Sequence, residues 1–296
     1  MSEYHGYWFW ELGDDKIIQA QDLMDEYCYT KPENFEKALY WGQKIIKDPE
    51  SIVYNYAMSM VGTIYFKQEK NEEAFNCLKI AHTNQKKFGV RRAPTRFSML
   101  LLAECYYYGL GTSKDYALAY KYYLEYIEKG EDVGTDNTIY AYNRLAYLYD
   151  NGLGVIENAN KAFDCYMKAA NYGDAFAESM VANAYFEGEG TNKDIDKAIF
   201  WFNKSAQQNH AYSWYSLGFI YSREVFGKHN VIKAVDCFNK AIECDNEDSA
   251  SYYELGRIYE IGGEGVSISY TKAGNYYKKA AELGHERAKE KMKEFQ

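Results

Sequence analysis

Three stretches of this chain align without gaps: LAYLYDNGLGV from Leu145, VANAYFEGEGT from Val181 and LGFIYSREVFG from Leu217, each 36 residues after the one before. A period of that length constrains the fold more than any single motif. It marks a supersecondary unit built over and over, too short to bury its apolar faces without neighbours. The pattern opens again at Leu102 (LAECYYYGLGT), at Leu255 (LGRIYEIGGEGV) and, without its glycines, at Val61 (VGTIYFKQEK). Its landmarks are a small residue (Gly62, Ala103, Ala146, Ala182, Gly218, Gly256) and a tyrosine three positions later (Tyr65, Tyr106, Tyr149, Tyr185, Tyr221, Tyr259).

A second pattern follows each first one: KAFDCYMKAANYG from Lys161, KAIFWFNKSAQQN from Lys197, KAVDCFNKAIECD from Lys233 and KAGNYYKKAAELG from Lys272, with looser copies from Leu118, Glu73 and Lys37. Its alanine column is complete (Ala38, Ala74, Ala119, Ala162, Ala198, Ala234, Ala273), and four residues on comes a mostly aromatic column: Tyr123, Tyr166, Phe202, Phe238 and Tyr277, with Leu78 and Gly42 as exceptions. That i, i+4 spacing puts both columns on one helical face. The two patterns read as a helical hairpin repeated about seven times. Small residues of the first helix are expected to meet the alanines of the second, letting the backbones approach, while the rings fill the space between hairpins. The expectation is one continuous all-α solenoid over residues 1–296, a single domain without long linkers.

These motifs resemble the Sel-1-like repeat family, a relative of the tetratricopeptide repeat. The family carries leucine-glycine/alanine and tyrosine on a first helix, a glycine-x-glycine bend, then lysine-alanine and an aromatic on a second. Residues 97–284 carry the resemblance. The tyrosine-to-alanine interval is 13 in four units (Tyr106 to Ala119, Tyr149 to Ala162, Tyr185 to Ala198, Tyr221 to Ala234) and 14 in the last. From Tyr65 to Ala74 it is only 9, so residues 14–96 read as divergent tetratricopeptide-like hairpins. The charged segment 285–296 reads as a capping helix facing water. YWFW at 7–10 covers the other end of the core or forms an exposed docking patch.

Composition fits a helical chain, since 32 tyrosines and only 3 prolines leave few rigid extended segments. The net charge of -9 disfavours nucleic acid as a partner. The N-terminus shows no signal-peptide pattern, so the chain reads as cytoplasmic, and nowhere do about 18 apolar residues run together, so no membrane span is expected. The six cysteines form no CxxC pair. Cys77, Cys165 and Cys237 share one column and read as core filling rather than a disulfide framework or metal site. The five histidines lie far apart and read as solvated residues between hairpins.

GLGTSKD (109–115) and GEGTNKD (188–194) come nearest to a phosphate loop, but a P-loop needs GxxxxGK[ST] between a strand and a helix. The expectation is architectural. Gly109, Gly152 and Gly188 end first helices in a left-handed conformation, and Thr112 or Ser113, and Thr191 or Asn192, cap the next. The acid-free stretch 86–96, with Lys86, Lys87, Arg91, Arg92 and Arg96, reads as a solvated, lengthened connection or a grip on an acidic partner or a phosphate. The acidic insertion 130–138 is a similar connection.

The family resemblance implies a right-handed superhelix whose first helices line a concave face, with the residues three before, one after and four after the small landmark on it. On this chain these are Ser59, Thr63 and Phe66; Leu100, Glu104 and Tyr107; Asn143, Tyr147 and Asp150; Ser179, Asn183 and Phe186; Tyr215, Phe219 and Ser222; and Tyr253, Arg257 and Glu260. Stiff rings mixed with amide and charged groups suit a protein or peptide partner. No nucleophile, base and orienting group recur together, and no cofactor or metal site survives the repeat comparison. The expected function is therefore a non-enzymatic interaction scaffold. Two rivals are an immunity or inhibitor protein that blocks one toxin or enzyme, and a hydrolase working through a groove carboxylate such as Glu104, Asp150 or Glu260.

Overall fold

Both repeat patterns are helical wherever they are seen. The computed structural model describes residues 35–47, 54–88, 96–129 and 134–294, and the described residues form fourteen α-helices. The aromatic patch at 7–10, most of the expected hairpin from Asp14, and the side chains of the basic stretch 86–96 lie outside the described residues. The chain divides after Glu157 into two compact units. The first holds α1 (Phe35–Ile45), α2 (Tyr54–Lys67), α3 (Asn71–Phe88), α4 (Arg96–Tyr108), α5 (Tyr116–Glu128) and α6 (Asp136–Asp150). The second holds α7 (Ala159–Asn171), α8 (Ala175–Glu187), α9 (Ile195–Ala206), α10 (Ala211–Tyr221), α11 (Val231–Cys244), α12 (Ser249–Ile261), α13 (Tyr270–Glu282) and α14 (Glu286–Glu294). Within each unit, helices adjacent in sequence pack as neighbours, most extensively as the hairpins α2–α3, α4–α5, α8–α9, α10–α11 and α12–α13. Each unit is thus an α-solenoid of stacked hairpins.

The column residues form the core. All seven column alanines are 0–1% exposed, as are Tyr123, Phe202, Phe238 and Tyr277 four residues on. The landmark glycines also face the bulky column. A Cβ added at Gly218 would lie 2.8 Å from the Phe238 ring, at Gly256 2.6 Å from the Tyr277 ring, and at Gly62 2.9 Å from Leu78 Cγ. In these three hairpins the glycine makes room for the bulky side chain four residues after the column alanine, the ring of Phe238 or Tyr277 or the side chain of Leu78, while Ala182 and Ala198 share one buried cluster as expected. The rings fill the hairpin as well as the space between hairpins.

A shared bend turns one helix into the next. Gly188 ends α8 with φ +84, and the Asp194 N–H then donates to the Tyr185 carbonyl at 2.8 Å, folding the chain back on the landmark tyrosine. The same bond joins Asp115 to Tyr106, Asn230 to Tyr221 and Ser269 to Tyr259. It also explains the extra residue in the last hairpin, which is taken up by a tight turn in which Gly263 and Val266 exchange backbone bonds at 2.9 and 3.0 Å. The second glycine serves a different purpose. A Cβ at Gly190 would lie 2.2 Å from the Ala159 carbonyl oxygen, so this backbone rests directly on the start of α7 in the preceding hairpin.

The caps are corrected. Asp115 accepts from the Leu118 N–H at 2.9 Å and Asp194 from the Lys197 N–H at 3.0 Å, so the cap is the last polar residue of the bend, not Thr112, Ser113, Thr191 or Asn192. Asn158 and Asn230 do the same for α7 and α11. Just inside these helices, Lys197, Lys233 and Lys272 lie over the rings of Tyr185, Tyr221 and Tyr259 at 4.8–5.4 Å. This gives the lysine-alanine motif its lysine: each ammonium covers a landmark tyrosine. The histidine reading holds for exposed His229 but fails for His82. That ring is buried, edge-on to Tyr122 at 4.9 Å, with Nε2 3.6 Å from Glu125.

Candidate interaction surface

In the second unit the first helices α8, α10 and α12 present one face together with the start of α14. On α10 (Tyr212, Tyr215, Phe219) and α12 (Ala250, Tyr253, Arg257) the residues on it fall at i, i+3 and i+7, which keeps them on a single stripe of each helix. Two adjoining cavities open there. One, of about 170 Å³, is lined by Asn183, Phe186, Glu187, Phe202, Tyr212, Tyr215, Ser216, Phe219 and Ile220. The other, of about 370 Å³, is lined by Tyr215, Phe219, Arg223, Ala250, Tyr253, Glu254, Arg257, His285, Glu286 and Arg287. Tyr215 and Phe219 belong to both.

The rings between them are braced from below. Phe219 lies 6.4 Å from Phe186 and 6.0 Å from Phe226, Tyr215 lies 5.9 Å from Phe238, and the Tyr212 hydroxyl donates to Asn183 Oδ1 at 3.0 Å. Such contacts hold the aromatic edges in place before anything binds. Burial raises the Tyr215 pKa, with the Glu254 charge adding to it, so this ring presents a neutral hydroxyl.

The second cavity is polar and internally wired. Glu254 is 6% exposed, accepts from Arg223 Nη2 at 3.0 Å on both oxygens, and accepts from Arg257 Nη1 at 3.0 and 3.3 Å. Two guanidinium groups thus neutralise one buried carboxylate, the arrangement such a charge requires. Arg223 also lies over the Phe219 ring at 4.8 Å, joining the polar cavity to the apolar one. His285 stacks on Tyr253 at 4.3 Å, and burial followed by the Arg287 charge lowers its pKa.

Of the residues expected on this face, Asn183, Phe186, Tyr215, Phe219, Tyr253 and Arg257 line these cavities. Ser179 does not: it is buried, and its hydroxyl bonds back to the Phe176 carbonyl at 2.7 Å. Ser59, Thr63 and Leu100 are likewise buried, the first two bonding to their own helix backbone.

In the first unit the expected residues gather around a different centre. Glu104 accepts from the Tyr123 hydroxyl and, at 2.8 Å, from that of Tyr140. Arg144 donates to Tyr140 at 2.7 Å and to Tyr108, and lies over the rings of Tyr107, Tyr108 and Tyr140 at 4.7–5.4 Å. Glu104 is therefore committed inside the fold, and Tyr107 is only 9% exposed. Tyr147 is 41% exposed, and Asn143 and Asp150 are half-buried. Glu260 in the second unit accepts from Tyr277 at 2.5 Å and from Lys291 at 3.0 Å. Burial pushes its pKa up, but these donors outweigh that and leave it lowered, the wrong direction for a general acid.

Comparison with known proteins fixes the family. The Sel1 repeat matches at residues 28–47, 97–131, 139–174, 175–210, 211–246 and 249–285, two thirds of the sequence. The chain belongs to the Sel1 repeat family. No curated protein matches it in sequence. Among solved structures it is similar to c5321, a protective antigen of uropathogenic Escherichia coli with this repeat fold (23% identity, 92% of this chain and 55% of that one, TM-score 0.73). It is also similar to a Sel1 repeat protein of Oxalobacter formigenes (24% identity, 78% and 87%, TM-score 0.59) and to the C-terminal part of a tetratricopeptide repeat protein of Cytophaga hutchinsonii (16%, 92% and 98%, TM-score 0.57). The chain thus spans about half the length of the Escherichia coli protein.

Sel1 repeats generally serve as protein-interaction scaffolds and are typically non-enzymatic. No helix among the described residues is long and apolar enough to cross a membrane. In repeat terms, the expected set missed Tyr212, six before the small landmark, together with Arg223, Glu254, His285 and Arg287. Tyr212 had a readable signal, because Tyr140 and Phe176 occupy the same position in their repeats. The others had none: they belong to the bend after α10, the buried stripe of α12 and the start of α14, which only packing brings together.

Proposed function

We propose that this Sel1 repeat chain is a non-enzymatic scaffold that binds an extended segment of a partner protein along the α8–α10–α12 face of its second unit. The observation that carries the reading is the pair of adjoining cavities sharing Tyr215 and Phe219, an apolar one beside a charged one. A face of braced aromatic edges with polar groups at its margins has the composition of binding hot spots. The commitment of Glu104 and Glu260 to internal donors supports a binding rather than a hydrolytic role.

The test compares two exposed rings of similar size. Tyr212 is 48% exposed at the first cavity, and Phe200 is 57% exposed on α9 and lines neither cavity. A partner recovered with the wild-type chain should bind Tyr212→Ala at least about tenfold more weakly, a hot-spot effect, and Phe200→Ala nearly as well as wild type. Equal binding by both variants and wild type would rule this face out as the binding surface.

A further inference from the structure

We infer that the segment taken by this face carries a large apolar side chain and, within a few residues of it, an acidic side chain. The inference rests on the scaffold reading above and adds the chemistry of the occupant. The first cavity, about 170 Å³ between Phe186, Phe202, Phe219 and Ile220, resembles in size the roughly 150 Å³ apolar cavity that accepts benzene. It suits one ring or one branched aliphatic side chain.

The second cavity gathers three arginines, in a chain whose net charge is -9. Arg223, Arg257 and Arg287 stand there against Glu254 and Glu286. Glu254 is held by two of the arginines, and Glu286 is paired with Lys289 at 2.7 Å. Asp248, the remaining acid whose charge reaches Tyr215 and His285, accepts from the Ala250 and Ser251 N–H groups at 3.1 and 3.2 Å as the cap of α12. Arg287 is exposed and makes no hydrogen bond or ion pair among the described residues. A guanidinium without a partner beside two already paired ones favours a carboxylate. Because the cavities lie side by side, a chain anchored in the first passes the second with its side chains, so the carboxylate is assigned to Asp or Glu rather than to a chain end.

The experiment selects a displayed library of random peptides of about twelve residues on the full chain and discards those that also bind a Tyr212→Ala/Phe219→Ala variant. Selected peptides are expected to pair Phe, Tyr, Leu or Ile with a nearby Asp or Glu. Made with a free or an amidated C-terminus, they should bind alike. Arg287→Gln, a change at an exposed side chain, should weaken them about two- to fivefold at low salt. Peptides that need the rings but show no acidic preference and ignore Arg287→Gln would overturn the inference while leaving the scaffold reading standing. Loss of binding on amidation would overturn the side-chain assignment. A library yielding no ring-dependent peptide would count against both.

Discussion

The repeat architecture predicts that two glycines with the same backbone conformation differ sharply in what they tolerate. Gly173 and Gly190 both have left-handed φ, +85 and +70, so alanine at either site meets the same conformational penalty, roughly 1–2 kcal/mol. Their surroundings differ. A Cβ at Gly173 meets nothing within 4 Å, whereas one at Gly190 lies 2.2 Å from the Ala159 carbonyl oxygen and 2.6 Å from its carbon. That obstacle is backbone, so no rotamer change relieves it and the preceding hairpin must move, an overpacking cost of about 1–3 kcal/mol more. Gly173→Ala should therefore destabilise by about 1–2 kcal/mol and Gly190→Ala by about 2–5 kcal/mol. Urea unfolding followed by circular dichroism at matched protein concentration measures both, and in a thermal scan of the same signal the melting points should separate by at least about 2 °C. Equal destabilisation would mean that the second glycine of the bend does not rest on the preceding hairpin, and the explanation of the glycine-x-glycine motif would fall with it.

Other consequences concern the core and the cap histidine. Ala198 is fully buried in the cluster of Ala182, Phe202 and Leu217, so Ala198→Leu should cost about 1–3 kcal/mol in the same unfolding assay, and a neutral result would mean that the column alanine is not a helix contact. His285 accepts from the Ala288 N–H at 3.3 Å as the cap of α14, and its pKa is lowered from 6.5 by burial. The unfolded chain thus takes up a proton at a higher pH than the folded one, so the stability contributed by neutral His285 is present above about pH 6.5 and declines below it. His285→Asn keeps a capping group without that titration, and the loss of stability between pH 7 and pH 5 should be smaller in this variant than in wild type.

Much of the fold was legible because a repeat writes its core several times over. The alanine and aromatic columns could be read from sequence, since each position is sampled in every hairpin and chance matches average out. Polar detail was less legible. In GEGTNKD any of Thr191, Asn192 and Asp194 is chemically able to cap a helix, and the bond from the Asp194 N–H to Tyr185 decides which one does. Landmark spacing placed Phe186, Tyr215 and Phe219 on the exposed stripe but put Ser179 there too, because a rule by register does not see that a small side chain sinks into the helix interface. His82 was misread for a related reason: its burial depends on Tyr122 of the next hairpin. The charged cavity was legible only in part: Tyr253 and Arg257 follow from register, whereas Arg223, Glu254, His285 and Arg287 come from the bend after α10, the buried stripe of α12 and the start of α14 and share no column.

A partner lying against the α8–α10–α12 face would touch Tyr212 and leave Phe200 clear. A photo-reactive phenylalanine analogue placed at Tyr212 in one full-length variant and at Phe200 in another reports that contact, since both side chains are exposed. Irradiated with the partner, the Tyr212 variant is expected to give the cross-linked product and the Phe200 variant little or none. Cross-linking at Phe200 with none at Tyr212 would contradict the proposed binding face and place the partner on a different surface.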